Sequence, residues 1–235
     1  GRENNEGDAA YNAYLMRSYY PDVFAEAVES AVGVMHRKPA SIELSPKLKV
    51  LAERATDDGE DLQLLLRKIN SLQLTTGRLG LLGVLEERDG KTIPKLVVHC
   101  ESSLFNWDDS ANSESTQDLR LLQIDESDYR MTADYTWEWK NKVRVLALTG
   151  ADGQIVGFDQ AGLLESGVYS YATLNDDNIE LKSAMFEPLG LKGKTLDRIP
   201  FSFINSKDLS TLPDKPPLDG LARLSLAIYR GEADY

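Results

Sequence analysis

The chain has 235 residues, 42% of them hydrophobic, and a formal net charge of −12. That is enough apolar material for one large core or two small ones, while the acidic balance argues against a protein that grips nucleic acid by neutralising phosphates. A single cysteine, Cys100, excludes an internal disulfide framework and suits a reducing compartment; no apolar run approaches the roughly 20 residues of a membrane helix, and the polar start Gly1 to Gly7 is no secretory signal.

Residues 1–10 read as a disordered tail, polar and glycine-bearing. Between Ala9 and Tyr20, residues Tyr11, Tyr14, Leu15, Tyr19 and Tyr20 recur at near-helical spacing, and their rings suit core or interface packing better than a stacking platform. A second helix from about Pro21 places Phe24, Ala27, Val28, Ala31 and Val34 or Met35 on one stripe. It ends at Arg37-Lys38-Pro39, where basic side chains complement the carboxyl end of the helix dipole and Pro39 forbids continuation. Ser45-Pro46 signals a short helix to about Ala55. Asp57 to Asp61 opens a stronger one: Leu62, Leu65, Leu66, Ile69 and Leu72 share a face, and Gly77 is placed for a left-handed cap. Residues 11–78 are therefore expected to form a helical subdomain.

After Gly77 the pattern turns to strands. Leu79 to Leu85, the turn Arg88-Asp89-Gly90-Lys91 and Lys95 to Cys100 read as a hairpin. Asp108 to Gln117 reads as a loop. Arg120 to Ile124, Trp137 to Leu148 and Val168 to Leu174 are further strands, the first two separated by a break at Asp125 to Asp128 and the second with the partial alternation of a sheet wet on one face. Residues 79–205 are expected to form a mainly antiparallel β subdomain. Residues 206–235 read as a loop and an amphipathic helix that stops at Tyr235 without a closing signal, as if truncated. Helices first and an antiparallel sheet afterwards make the fold class α+β.

The motifs that suggest chemistry are weak. Gly190 to Thr195 ends in the Gly-Lys-Thr of a phosphate-binding loop, but Pro188 stands where that loop needs Gly, and Ile199-Pro200-Phe201 predicts a strand where it needs a helix. His99 and Cys100, adjacent in a strand, point to opposite faces and cannot pair as base and thiol; Cys100 reads as a small core residue. Asp57-Asp58, Asp108-Asp109 and Asp176-Asp177 lack the alternate spacing of calcium loops and sit where turns favour Asp. Glu86-Glu87 and Glu101 have no evident catalytic partner, so a hydrolase built on Glu86, Glu101 or His99 ranks last. No cofactor or metal is expected, and a binding or structural role is favoured over an enzyme.

Several stretches together resemble one family. Arg37-Lys38-Pro39 with Ile42 and Leu44, Gly77-Arg78-Leu79-Gly80-Leu81-Leu82, and Phe105-Asn106-Trp107 are similar to its motifs, as are Ile199 to Ile204, Pro216 to Ala222 and Tyr229 to Tyr235. The family comprises tailed-phage and prophage proteins that resemble phage portal proteins, and the matches span about residue 11 to the end, the wing-like first half of a usual member. The resemblance implies a noncatalytic virion structural protein, a homo-oligomer, commonly a dodecamer, at the capsid vertex through which DNA is packaged and ejected. Its implied partners are itself, capsid, terminase and head-tail adaptor proteins. DNA would pass without specific binding, no membrane would be involved, and assembly would take place in the bacterial host cytoplasm. Junction and oligomer residues are expected at Arg37, Lys38, Pro39, Ile199, Pro200, Phe201, Pro216, Pro217, Leu221, Leu224, Ile228, Tyr229 and Tyr235, with the last helix starting a stem and its apolar side partly uncovered. The rival expectation is a phage adaptor or accessory protein of this fold that forms no ring.

Overall fold

The computed structural model describes residues 7–17, 22–88, 91–109, 119–160, 164–175, 180–181, 184–191 and 194–233. The helices are α1 (Asp8–Arg17), α2 (Val23–Met35), α3 (Leu62–Thr76) and α4 (Asp219–Ala233). Helix α1 begins at Asp8, whose carboxylate suits the positive end of the helix dipole, so the expected tail gives way to helix two residues before its predicted end. Tyr19 and Tyr20 lie outside the described residues. In α2 the buried side chains are Val28 and Val32, whereas Val34 and Met35 stay in solvent; the packed stripe is rotated from the expected one. Helix α3 follows its sequence signals: the Asp61 side chain accepts from the Leu64 N–H at 2.8 Å, and Gly77 closes the helix with φ +77°.

The helix expected from Ser45 to Ala55 shrinks to a turn and a 3-10 segment, Lys49–Ala52. Ala55 is claimed by other partners. Its N–H donates to the Glu60 carbonyl at 2.7 Å, and its own carbonyl accepts from the Leu96 N–H at 2.8 Å. Ala55 is thereby stitched to a strand edge, where a helical backbone could not reach.

The strands of the first sheet are β1 (Arg78–Arg88), β2 (Lys91–Cys100) and β12 (Phe201–Asn205), in the order β12-β1-β2. The second sheet runs β3-β4-β7-β8-β9, from β3 (Leu104–Asp108), β4 (Leu121–Asp125), β7 (Lys142–Thr149), β8 (Val168–Asn175) and β9 (Glu187–Pro188). Every pairing is antiparallel. With its helices beside these sheets, the protein is an α+β fold.

The layers follow from the two-residue alternation of β1 and β2. Leu79, Leu81, Leu96 and Val98 join Leu65 and Ile69 of α3 in one core. Leu82, Val84 and Val97 point the other way, into a second core with Leu122 and Ile124 of β4, Leu146 and Leu148 of β7, and Phe201 and Phe203 of β12. Strand β7 is also covered on its other side, where Val145 meets Ala172 and Leu174 of β8. The one-sided wetting expected of this stretch is thus corrected: β7 is central in its sheet, and both its faces are buried over the second half.

The stretch Trp137 to Leu148 also divides at Asn141. Its first part, β6 (Trp137–Lys140), pairs with β5 (Asp128–Met131) as a separate two-stranded ribbon. Asp125 to Asp128, expected as a break, leads directly into β5. Gly190–Leu191 (β10) pairs antiparallel with Lys194–Thr195 (β11), and β12 rather than a helix is the next element after them; Gly193 lies outside the described residues. The last strand starts at Phe201 rather than earlier. Pro200 has no N–H to give a ladder, although its carbonyl accepts from the Gly83 N–H at 2.8 Å.

Gly77 has no room for a side chain. A Cβ there would lie 2.7 Å from the Asp214 carbonyl oxygen and 2.9 Å from the Pro216 nitrogen. Gly77→Ala is therefore expected to destabilise the fold by about 1–3 kcal/mol, read as a lower urea midpoint with an unchanged m-value.

Candidate interaction surface

Gly77 is where α3, β1, β12 and the approach to α4 converge. The Gln73 Nε2 donates to the Asn205 carbonyl at 2.7 Å, the Ser206 N–H to the Gly77 carbonyl at 2.9 Å, and the Thr76 hydroxyl to the Arg78 carbonyl at 2.7 Å. The buried Asn205 side chain then organises the following loop, donating to the Leu212 carbonyl at 2.8 Å and the Ser210 carbonyl at 2.9 Å. Asp214 accepts from the Lys207 N–H at 2.9 Å, and Thr211 bonds Asp109. A loop with so many internal partners holds one path. It delivers the chain to Pro216, whose carbonyl accepts from the Asp219 N–H at 3.1 Å as α4 begins.

Beside this junction Arg78 is buried, its guanidinium 3.9 Å from the Phe203 ring centre and 4.4 Å from that of Trp107. Its Nε and Nη2 have no hydrogen-bond partner, so the ring faces stand in for one. Burial lowers the Arg78 pKa from the ordinary arginine value, with Glu101 opposing.

The residues expected to form junction and oligomer contacts land in different settings. Ile199 and Phe201 are buried in the core between the sheets, away from the surface. Arg37, Lys38 and Pro39 are exposed beyond α2, Pro216 is half-buried and Pro217 exposed. Helix α4 packs on α1 and α2. It buries Ser225 and half-buries Leu221, Ala222 and Tyr229, while Leu224 is 57% and Ile228 43% exposed. Tyr235 lies outside the described residues.

A second apolar surface was not anticipated. In the β5–β6 ribbon, Tyr129 opposes Trp139 and Met131 opposes Trp137, so all four share one face; Asp128, Arg130, Glu138 and Lys140 take the other. The four apolar residues are 58%, 50%, 53% and 63% exposed in that order, and among the described residues no other element packs substantially on the ribbon. Tyr129 and Trp139 meet edge to face, 5.1 Å between centres. The tip is closed by Thr132 and Thr136, with hydroxyls 2.7 Å apart, and Tyr135 adopts φ +59°. Alternation on either side of Thr132 to Thr136 was the available signal, hidden by reading Asp125 to Asp128 as a break.

Polar groups between the sheets are mutually occupied. Buried Lys95 donates to Asp57 at 2.6 Å and contacts Glu86, and these carboxylates, Asp57 first, raise its pKa. Glu126 receives Lys142 at 2.6 Å and Arg144 at 2.8 Å. Lys95, Asp57, Glu86, Glu126 and Arg144 line an open cleft of about 750 Å³ together with Arg54 and Val84. Glu86, Glu101 and His99 do not gather: Glu86 pairs in register with Ile93, six residues along β2 from His99 and about 20 Å away, and Glu101 is exposed beyond the end of β2. Cys100 is exposed rather than a core residue, because it ends β2 facing away from His99. Its Sγ lies 3.2 Å from the Ser102 hydroxyl, which lowers its pKa. Asp108 holds Arg120, and Asp176-Asp177 lie outside the described residues. Among the described residues no cluster of metal-binding groups occurs, and no described helix is long and apolar enough to cross a membrane.

No known family model matches the chain, and no curated protein matches it significantly.

His99 is buried, its Nε2 has no hydrogen-bond partner, and burial lowers its pKa below the ordinary histidine value despite Glu126. The unfolded chain then binds a proton that the folded chain refuses. Stability is expected to fall as pH drops below about 6.5 towards the folded-state pKa. Urea midpoints between pH 7 and 5 should decline more steeply for the wild type than for His99→Gln; equal slopes would contradict the assignment.

Proposed function

We propose that the chain is a noncatalytic virion structural protein, the wing portion of a portal-type subunit at the vertex through which phage DNA is packaged and ejected. It acts through contacts with copies of itself and with capsid, terminase and head-tail adaptor proteins, and it is assembled in the bacterial host cytoplasm. The observation that supports this reading best is the state of α4. The helix is anchored at its start by the Gly77 junction, yet Leu224 and Ile228 are left uncovered. A stiffly held helix with apolar side chains in water suits a lead into a further assembly.

The acidic charge agrees with such a role, because a DNA conduit works against itself if it neutralises many phosphates along the duplex. The motif order from Arg37-Lys38-Pro39 to Tyr229 to Tyr235 adds the resemblance to portal-like proteins. Negative-stain microscopy of the chain, together with whatever sequence follows Tyr235 in its gene, is expected to show closed rings, commonly of twelve subunits. A stable monomer under assembly conditions that still captures capsid or terminase proteins would favour the accessory-protein reading.

A further inference from the structure

We propose that the aromatic face of the β5–β6 ribbon in one copy docks on the uncovered face of α4 in a second copy, so that the chain associates head to tail. This deepens the portal-type reading by naming a subunit contact, and it rests on that reading only for closure into a ring.

The start of α4 and the base of the ribbon lie towards opposite ends of β1. Helix α4 is tied through Gly77 to the Arg78 end of β1. The ribbon springs from the other end: Glu126, at its base, lines the same cleft as Glu86 near the far end of β1, and Lys142 closes that base on Glu126 and on the Ser127 hydroxyl at 3.0 Å. Arg78 and Glu86 are eight residues apart on one strand, about 26 Å. Two unlike surfaces define a heterologous contact, which repeats from copy to copy.

Their chemistry is complementary. The ribbon offers Tyr129, Met131, Trp137 and Trp139, with exposed Asp134 in the turn at its tip. The outer side of α4 offers Leu224 and Ile228 flanked by exposed Arg223 and Arg230. Arginine is suited both to aromatic faces and to carboxylates. Exposed Ala227 and Gly231 leave space for large rings, and a Cβ built on Gly231 meets nothing within 4 Å.

The area is that of a weak specific contact. With large aromatic side chains offering roughly 150–250 Å² each, the half-exposed ribbon face leaves about 400–500 Å² uncovered. Counting both partners, such a contact approaches the ~1,000 Å² of a specific interface, and each copy in a closed assembly makes two of them.

The test is complementation between two variants of the 235-residue chain. The ribbon variant carries Trp137→Ser and Trp139→Ser; the helix variant carries Leu224→Asp and Ile228→Asp. All four sites are exposed, so circular dichroism should be unchanged; Ile228→Asp alone replaces the helix variant if its spectrum alters. In sedimentation velocity with one variant fluorescently labelled, wild type should associate, and each variant alone should associate at least tenfold more weakly. An equal mixture should form dimers and nothing larger, because each variant keeps one intact surface. A monomeric mixture, a ribbon variant that associates like wild type, or a wild type monomeric at ~100 µM, where even a weak specific interface assembles, would each overturn the contact. Rings persisting with the ribbon variant would overturn this contact and leave the portal-type reading standing. Dimers in the mixture without rings in the longer protein would do the reverse.

Discussion

The left-handed turn at Gly77 is the constraint on which the molecule depends. Within two residues the chain leaves the helical layer, enters the central strand of the first sheet and passes so close to the segment that launches α4 that a Cβ on Gly77 would lie 2.7 Å from the Asp214 carbonyl oxygen. Only a residue without Cβ can hold φ +77° with two backbone atoms that close. The direction of α3, the first pair of β1 with β12, and the position of α4 all follow from that turn. Arg78, the next residue, fills the space between Trp107 and Phe203, so the junction is also wedged from the sheet side.

From that junction outwards, burial divides the described residues into covered layers and exposed features, among them the aromatic ribbon and the outer side of α4. Strand β1 is covered by α3 on one face and by the second sheet on the other, and β7 is covered on both faces in turn. Polar groups trapped between these layers are mostly paired, as with Lys95 on Asp57 and Glu86 or Glu126 on Lys142 and Arg144. Such pairs add modestly to stability, and losing one partner is the costly event. The aromatic ribbon and the outer side of α4 escape this coverage. They are apolar where the fold has no internal use for them, which is the physical signature of surfaces meant for another molecule.

Much of the scaffold was legible because its signals are local. Asp61, the leucines of α3 and Gly77 specify a helix from cap to cap, and the short apolar run Leu79 to Leu85 specifies a strand whose partner follows a turn. What escaped depends on distant partners. The helix after Ser45-Pro46 shortens because Ala55 is captured by β2, which no local propensity reports. Strand β7 reads as half wet, but its place between β4 and β8 covers both faces. Cys100 reads as core by residue type, yet it lies at a strand end facing outward. For the interaction surfaces, the amphipathic C-terminal helix was visible in its apolar periodicity. The ribbon was not, because four-residue strands flanked by Asp and Glu carry the same composition as a loop.

The proposed association makes the aromatic ribbon and the outer side of α4 halves of one contact. Hydrogen exchange read by mass spectrometry, comparing dilute with concentrated protein, tests it. Slowed exchange is expected to appear with rising concentration in two separated segments together, Asp128–Lys140 and Asp219–Ala233, while the Gly77 junction stays equally protected throughout. Protection confined to one of the two segments, or appearing elsewhere with both unchanged, would contradict it.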